Sequence, residues 1–237
     1  MTSHKKRSSR HNSQWKLWLA ISIIAIIIIA VGVYQVLGNS ARQNTNQPSP
    51  ASTATPTANP TTSPANTSDP EYGNAKRVLL HTTIGDITIA LRNDKPITTT
   101  NFIDIVKSGW YDQTTFYRTM TGFMIQGGKI SQSHTVSAIS DEIGSDNHNV
   151  NYTIAMAKTS SPNSATSEFF INAGDNSKII YPDGSTFDGT YTVFGKVISG
   201  QNVVDEIANA AVTANPYSGE PSVPVNPVTI ISATIIP

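Results

Sequence analysis

Residues 116–128 read Phe116-Tyr117-Arg118-Thr119-Met120-Thr121-Gly122-Phe123-Met124-Ile125-Gln126-Gly127-Gly128. One arginine, one glutamine and the two large apolar side chains Phe123 and Met124 stand within eleven residues of one another, and a Gly-Gly breaker ends the run. The pattern predicts two short strands, 115–120 and 123–126. Short strands are also predicted at 152–157, 168–172, 192–197 and 228–235. Upstream, 78–83 and 87–91 carry β-branched alternation around Ile84-Gly85-Asp86, which reads as a hairpin. Pro96 opens a helix in which Ile97, Phe102, Ile105 and Val106 recur at helical spacing and Gly109 marks the end. A second short helix covers 202–210, with Val203, Val204 and Ile207 on one face. Many short strands with little βαβ rhythm leave a closed antiparallel barrel or a sandwich. Two long loops, 129–149 and 173–186, are expected to border a groove. The second contains the turn signal Tyr181-Pro182-Asp183-Gly184.

Forty residues after the opening stretch come Ser167-Glu168-Phe169-Phe170-Ile171-Asn172, then Phe187-Asp188-Gly189 and Val193-Phe194-Gly195-Lys196-Val197. In this order the segments resemble the cyclophilins, peptidyl-prolyl cis/trans isomerases, from about Val78 to the C-terminus. The resemblance selects the barrel: a mainly β fold, a closed eight-stranded antiparallel β-barrel capped by two α-helices. It also implies the site. Arg118 aligns with the family's catalytic arginine, and Gln126 with the amide that orients it and contacts substrate backbone. Phe123, Met124, Phe170 and Phe187 align with the walls of the proline pocket. Ala157 and Lys158 align with the strand that binds the peptide backbone. Tyr191 stands where many members have a histidine, and offers both a ring wall and a hydroxyl.

Two departures bear on the expectation. Glu168 replaces a usual glutamine, so an acceptor-only group, when ionised, stands where an amide would also donate. If it reaches Arg118 it either holds the guanidinium by a charge-assisted pair or draws it from the substrate. Thr186 stands where some members carry a tryptophan that contributes to cyclosporin binding, which implies weak sensitivity to that drug.

The implied chemistry is rotation about a prolyl amide. The barrier is about 18–20 kcal/mol because rotation breaks resonance. In the twisted transition state the nitrogen lone pair becomes a better acceptor, and a fixed cation that donates to it binds that state more tightly than the ground state. The reaction requires no nucleophile, metal or cofactor, and none is expected. The partners are proline-containing polypeptides. An isomerase that assists folding outside the membrane competes with a peptide-binding or chaperone module of little turnover, and Glu168 is the feature that separates them. An adhesin or structural surface domain would leave the whole groove set unused.

The N-terminal third predicts location. Residues 17–37 carry no charge and include seven isoleucines between 21 and 29. As a helix, 21 residues at about 1.5 Å each span roughly 31 Å, the thickness of a bilayer core. Trp15, Trp18 and Tyr34 sit near the two interfaces. The tail 1–16 holds Lys5, Lys6, Arg7, Arg10 and Lys16 without an acidic residue, which places it in the cytoplasm and the C-terminal bulk outside. A cleaved signal peptide is the alternative; the apolar run is long for one and Asn39-Ser40-Ala41 is a poor cleavage site. Lys5-Lys6-Arg7 as a nuclear address is the weaker reading beside a membrane span. Residues 38–74 form a Pro/Thr/Ser-rich linker with six prolines and almost nothing to bury, so disorder is expected. Its composition also fits a glycosylated stalk, and Asn66-Thr67-Ser68 is a sequon.

Residues 75–237 are then one domain, long enough to bury a core without staples. The chain has no cysteine, which excludes disulfides and thiolate metal sites and points weakly to a bacterial surface. The formal net charge of zero hides an uneven distribution, since 75–237 hold ten Lys/Arg and fourteen Asp/Glu, a net of −4. No basic stripe suggests nucleic acid, and nothing suggests an obligate oligomer, so a monomer is expected.

Overall fold

Alternation in the first two strands decides which way the sheet faces. In the computed structural model, which describes residues 72–237, β1 (Arg77–Thr82) pairs antiparallel with β2 (Gly85–Leu91). Val78 lies opposite Ile89 and Leu80 opposite Ile87, and all four are fully buried. The membrane span and almost all of the linker read from the sequence lie outside the described residues. Residues 72–215 and 221–237 form one unit, and residues 216–220 fall outside it.

The remaining strands are β3 (Thr114–Thr115), β4 (Arg118–Met120), β5 (Met124–Gly127), β6 (Thr153–Met156), β7 (Phe169–Asn172), β8 (Val193–Ser199), β9 (Val212–Ala214), β10 (Pro221–Pro224) and β11 (Thr229–Ile236). Nine of the eleven strands make one curled antiparallel sheet in the order β3-β11-β1-β2-β8-β6-β7-β5-β4, and β9 and β10 form a separate ladder. The main sheet has nine strands because the predicted strand 115–120 divides. Phe116 N–H donates to Val228 O at 3.0 Å and Tyr117 N–H to Gln126 O at 3.0 Å, so the chain changes partner strand between these two residues. Both edges of the sheet, β3 and β4, therefore belong to one stretch of seven residues, 114–120.

Side chains of a strand alternate between faces, and here both faces are covered. Ile125, Ile154, Phe169 and Ile171 point into the main core with Phe116 and Phe194. Their neighbours Met124, Ala155 and Phe170 belong to a second apolar cluster on the other face. The main core is closed by α1 (Pro96–Lys107), whose Phe102 ring lies 5.6 Å from Phe169, edge-on, and 5.0 Å from Phe194. Edge-to-face pairs at such distances add about 0.5–1.5 kcal/mol each beyond area burial.

Both helices are fixed at their ends by groups distant in sequence. The Glu142 carboxylate accepts from Ile97 N–H at 3.1 Å and Thr98 N–H at 2.8 Å, satisfying two donors of the first turn of α1. The last carbonyls of α2 (Gln201–Ala208) accept from Thr119 Oγ1 (to Ile207 O, 2.8 Å) and Thr121 Oγ1 (to Ala208 O, 3.0 Å). The second cap anchors β4 and the turn after it, which is where Arg118 stands.

Candidate active site

The sheet register assembles the site. Arg118 lies opposite Gln126, Gln126 opposite Phe170, Phe170 opposite Ala155, and Ala155 opposite Val193. Residues directly opposite in a sheet share a face, so these five form one row across β4, β5, β7, β6 and β8. Met120, Met124 and Asn172 form the next row. The turn joining β4 and β5 needs Gly122 at φ +70°, a conformation that residues with a Cβ rarely adopt. Gly128 ends β5 at φ +77°, and a Cβ there would come within 2.7 Å of the Phe169 ring and 2.8 Å of Ser167 O. The Gly-Gly pair is therefore a requirement of close packing.

Arg118 is half-buried. Its Nη1 donates to Gln126 Oε1 at 3.3 Å, its two terminal nitrogens contact the sulfurs of Met124 and Met120 at 3.8 and 3.5 Å, and its guanidinium carbon lies 6.0 Å from the Phe123 ring centroid. Thioether sulfur is a weak acceptor, so the methionines cushion the cation, while Gln126 supplies a directional bond.

Gln126 is held in turn. Its Nε2 donates to Tyr117 Oη at 2.5 Å and to Glu168 Oε2 at 3.0 Å, and the Tyr117 hydroxyl donates to the same carboxylate oxygen at 2.5 Å. Burial pushes the Tyr117 phenol well above its usual range, and its bond to the Glu168 carboxylate adds to the rise. The sequence left open whether Glu168 reaches Arg118. The carboxylate bonds to Tyr117 and Gln126, and the Gln126 amide stands between it and the arginine.

Beside Arg118 lies an aromatic floor. Phe187 is central, with ring centroids 5.7 Å from Phe123, 5.7 Å from Phe170 and 4.7 Å from Tyr191. Met124, Phe170 and Phe187 are buried, while Phe123, Ala157 and Tyr191 form a half-buried rim. The arrangement suits a small apolar ring held beside a cation. Among the residues carried over by resemblance, only Lys158 stands apart by its side chain. Its ammonium bonds Asp141 Oδ2 at 2.7 Å, with both side chains largely buried, so it fastens the 129–149 loop and does not project into the groove. The backbone of Ala157 bonds to that of Glu168 (N–H to O, 2.9 Å), which continues the β6–β7 pairing to the rim.

Three groups escaped the sequence reading. Tyr181 stacks on Phe187 at 6.3 Å and 24°, held by a turn closed through Tyr181 N–H to Ser185 O at 2.8 Å. It forms a further wall of the groove. Tyr117 is the second. The third is a set of buried asparagines. Asn147 Nδ2 donates to Asp188 O (2.5 Å) and Tyr191 O (2.9 Å) while its Oδ1 accepts from Val193 N–H (2.8 Å). Asn149 bonds Asp188 and Tyr191 O, Asn172 bonds Asn149, and Asn176 links Asn172 Oδ1 to the carbonyl of Phe123. The chain of amides ties the Phe187–Tyr191 turn to the Phe123 wall.

Comparison with known proteins agrees with this geometry. Residues 77–235 match the family described as "Cyclophilin type peptidyl-prolyl cis-trans isomerase/CLD". A peptidyl-prolyl cis-trans isomerase of Acinetobacter baylyi is 44% identical over 163 residues, covering 67% of this chain and 84% of that protein. The peptidyl-prolyl cis-trans isomerase cyp18 of Streptomyces antibioticus is 42% identical over 164 residues, covering 67% and 98%. Among solved structures, a cyclophilin type peptidyl-prolyl cis-trans isomerase of Cryptosporidium parvum, crystallised in the presence of the dipeptide Ala-Pro, aligns with TM-score 0.55 and 25% identity over 68% of this chain and 99% of that one. The chain belongs to the cyclophilin-type peptidyl-prolyl cis-trans isomerase family and is an enzyme of that kind.

Proposed function

We propose that this cyclophilin-type enzyme isomerises prolyl bonds by arginine-assisted rotation, and that it does so outside the cytoplasmic membrane as an aid to protein folding. The observation that carries the mechanism is the row Arg118–Gln126–Phe170, which sets a cation beside an aromatic floor. The proline ring packs on Phe123, Met124, Phe170 and Phe187, with Tyr191 as the end wall. Ala157 aligns the substrate backbone along the rim. Arg118 donates to the prolyl nitrogen as its lone pair localises, and the apolar walls strengthen that bond by excluding water. Gln126 holds the guanidinium in place. The curled sheet acts as a closed eight-stranded barrel on this reading, because 114–120 serves both of its edges. Proline-containing polypeptides are the substrates, and a cyclophilin crystallised with Ala-Pro supports that class.

A protease-coupled assay on a prolyl peptide tests the mechanism. Arg118→Ala is expected to lower kcat/KM by about 100-fold or more, since an oriented electrostatic donor contributes about 3–4 kcal/mol. Unchanged turnover in a folded variant removes Arg118 as the catalytic cation. A binder of little turnover is the competing reading; the placement of Gln126 between Glu168 and Arg118 speaks against it, because the carboxylate does not capture the guanidinium. The location rests on residues 1–37. Membrane fractionation, and release by external protease of a fragment of about 160 residues, test it. A soluble form beginning near Ala41 or Arg42 would establish signal cleavage instead.

A further inference from the structure

A glutamine amide has two nearly isosteric ends, an acceptor oxygen and a donor nitrogen, so a half-turn of its terminal torsion exchanges their roles. Gln126 is useful to Arg118 in only one of these poses. With Oε1 toward the guanidinium it accepts a hydrogen bond, and with Nε2 there two donors meet and the cation is pushed away. The pose must be set by what lies at the other end of the amide. Here that end is enclosed by two oxygens, Tyr117 Oη at 2.5 Å and Glu168 Oε2 at 3.0 Å, with the Tyr117 hydroxyl donating to the carboxylate at 2.5 Å.

The hydrogen-bond count closes only one way. An ionised carboxylate cannot donate, so it accepts from both Tyr117 and Gln126. The single Tyr117 proton goes to Glu168, so both oxygens present lone pairs to the amide and a Nε2 hydrogen points between them. Oε1 in that place would meet two acceptors, so it is left to face Arg118 at 3.3 Å. A glutamine at 168 would both donate and accept, and would satisfy Gln126 in either pose.

We propose that Tyr117 and Glu168 are positioning residues that clamp the Gln126 amide in the one orientation that holds Arg118 over the groove. The inference rests on the assignment of Arg118 as the catalytic cation. The clamp also polarises the amide: the carboxylate charge behind Nε2 makes Oε1 a stronger acceptor, as in any short chain of hydrogen bonds in a low dielectric. Glu168 thus acts on the arginine through Gln126, without touching it.

Two near-isosteric variants of the full chain test this, Tyr117→Phe and Glu168→Gln, alone and combined. Each single change is expected to lower kcat about five- to ten-fold with KM changed by less than about two-fold, the equivalent of losing roughly 1–1.4 kcal/mol of one oriented hydrogen bond. The double variant is expected to be no slower than the slower single one, because residues that act as a unit do not add. The side-chain amide protons of Gln126, assigned by nuclear magnetic resonance, give a readout independent of turnover. In the wild type two separated resonances are expected, the hydrogen-bonded one protected from exchange, and in either variant they move together and exchange faster. Full additivity, an unchanged kcat, or unmoved Gln126 resonances in folded Glu168→Gln each overturn the clamp. Wild-type protein without isomerase activity would instead sink the assignment of Arg118, while the Gln126 resonances would still decide the clamp. If Tyr117→Phe fails to fold, Glu168→Gln alone carries both readouts.

Discussion

Asn147→Ala tests whether the far wall of the groove is held by a loop 40 residues away in sequence. The Asn147 side chain is 1% exposed and makes three hydrogen bonds, to Asp188 O, Tyr191 O and Val193 N–H. Truncation leaves Tyr191 O with the Asn149 amide at 3.2 Å, whereas Asp188 O and the Val193 N–H lose the partner described here. Leaving a buried polar group unpaired costs about 1–3 kcal/mol, so two of them cost roughly 2–6 kcal/mol. For a domain of this size each kcal/mol lowers the melting temperature by about 2–4 °C, so a fall of roughly 4–24 °C is expected. The functional effect has a direction too. The turn that loosens carries Phe187 and Tyr191, while Arg118 and Gln126 sit on β4 and β5 under a different anchor. KM is expected to rise several-fold with kcat within about two-fold, since only ground-state and transition-state binding common to both is lost. Thermal unfolding by circular dichroism and a protease-coupled assay over a range of peptide concentrations supply the two numbers. A melting temperature within about 2 °C of the wild type, a change below about 1 kcal/mol, together with an unchanged KM would refute the reasoning.

Lys158→Met should lower stability by about 3 kcal/mol, the low end for removing one partner of a buried ion pair, and leave KM unchanged. A raised KM at unchanged stability would instead make the Lys158 side chain a substrate contact. At alkaline pH the buried tyrosines become informative. Burial raises the phenol of Tyr111, of Tyr117 with help from Glu168, and of Tyr181 with help from Tyr191. With folded values above the unfolded value of about 10, the unfolded chain gives up these protons first, so stability is full below about pH 10 and falls as pH rises beyond it. Denaturant midpoints should drop above pH 10, less steeply in Tyr117→Phe; a flat profile to pH 12 contradicts the prediction.

The first hairpin was legible because its apolar residues recur with period two, the central strands as short apolar runs buried on both faces, and the cyclophilin motifs then identified which side chains face the groove. Phe169 and Phe170 show the limit of composition: both are phenylalanine, and only register assigns the first to the core and the second to the site. The division of 115–120 was not legible, because a change of partner strand is a tertiary event with no local signature. The ladder of β9 and β10 was missed for a different reason. Its second strand begins and ends in proline, Pro221 and Pro224, which argues against a strand by propensity. In α1, Ile97 was expected on the apolar face, yet it is 47% exposed and Thr98 is fully buried. Phe102, Ile105 and Val106 are buried as expected, with Thr98 and Ile103 beside them, so only the first turn departs, where Glu142 binds the N–H groups of 97 and 98.

The asparagines and the Tyr117–Glu168 pair were hidden by a common cause. Polar residues in a loop rich in Ser, Asp and Asn read as solvated, because the pattern records hydropathy and says nothing of partners. Asn147 finds its partners 41 to 46 residues away, and Glu168 meets Tyr117 across 51. A buried polar group needs a partner of complementary donor and acceptor character, not one of opposite charge. An acidic residue near an essential arginine invites the reading of an ion pair, but the sheet interposes Gln126, whose two-ended amide accepts from one and donates to the other. Charge at Glu168 reaches Arg118 as the orientation of a dipole. The useful question for a departure of this kind is therefore which hydrogens it must accept, and Tyr117 together with Gln126 supplies both.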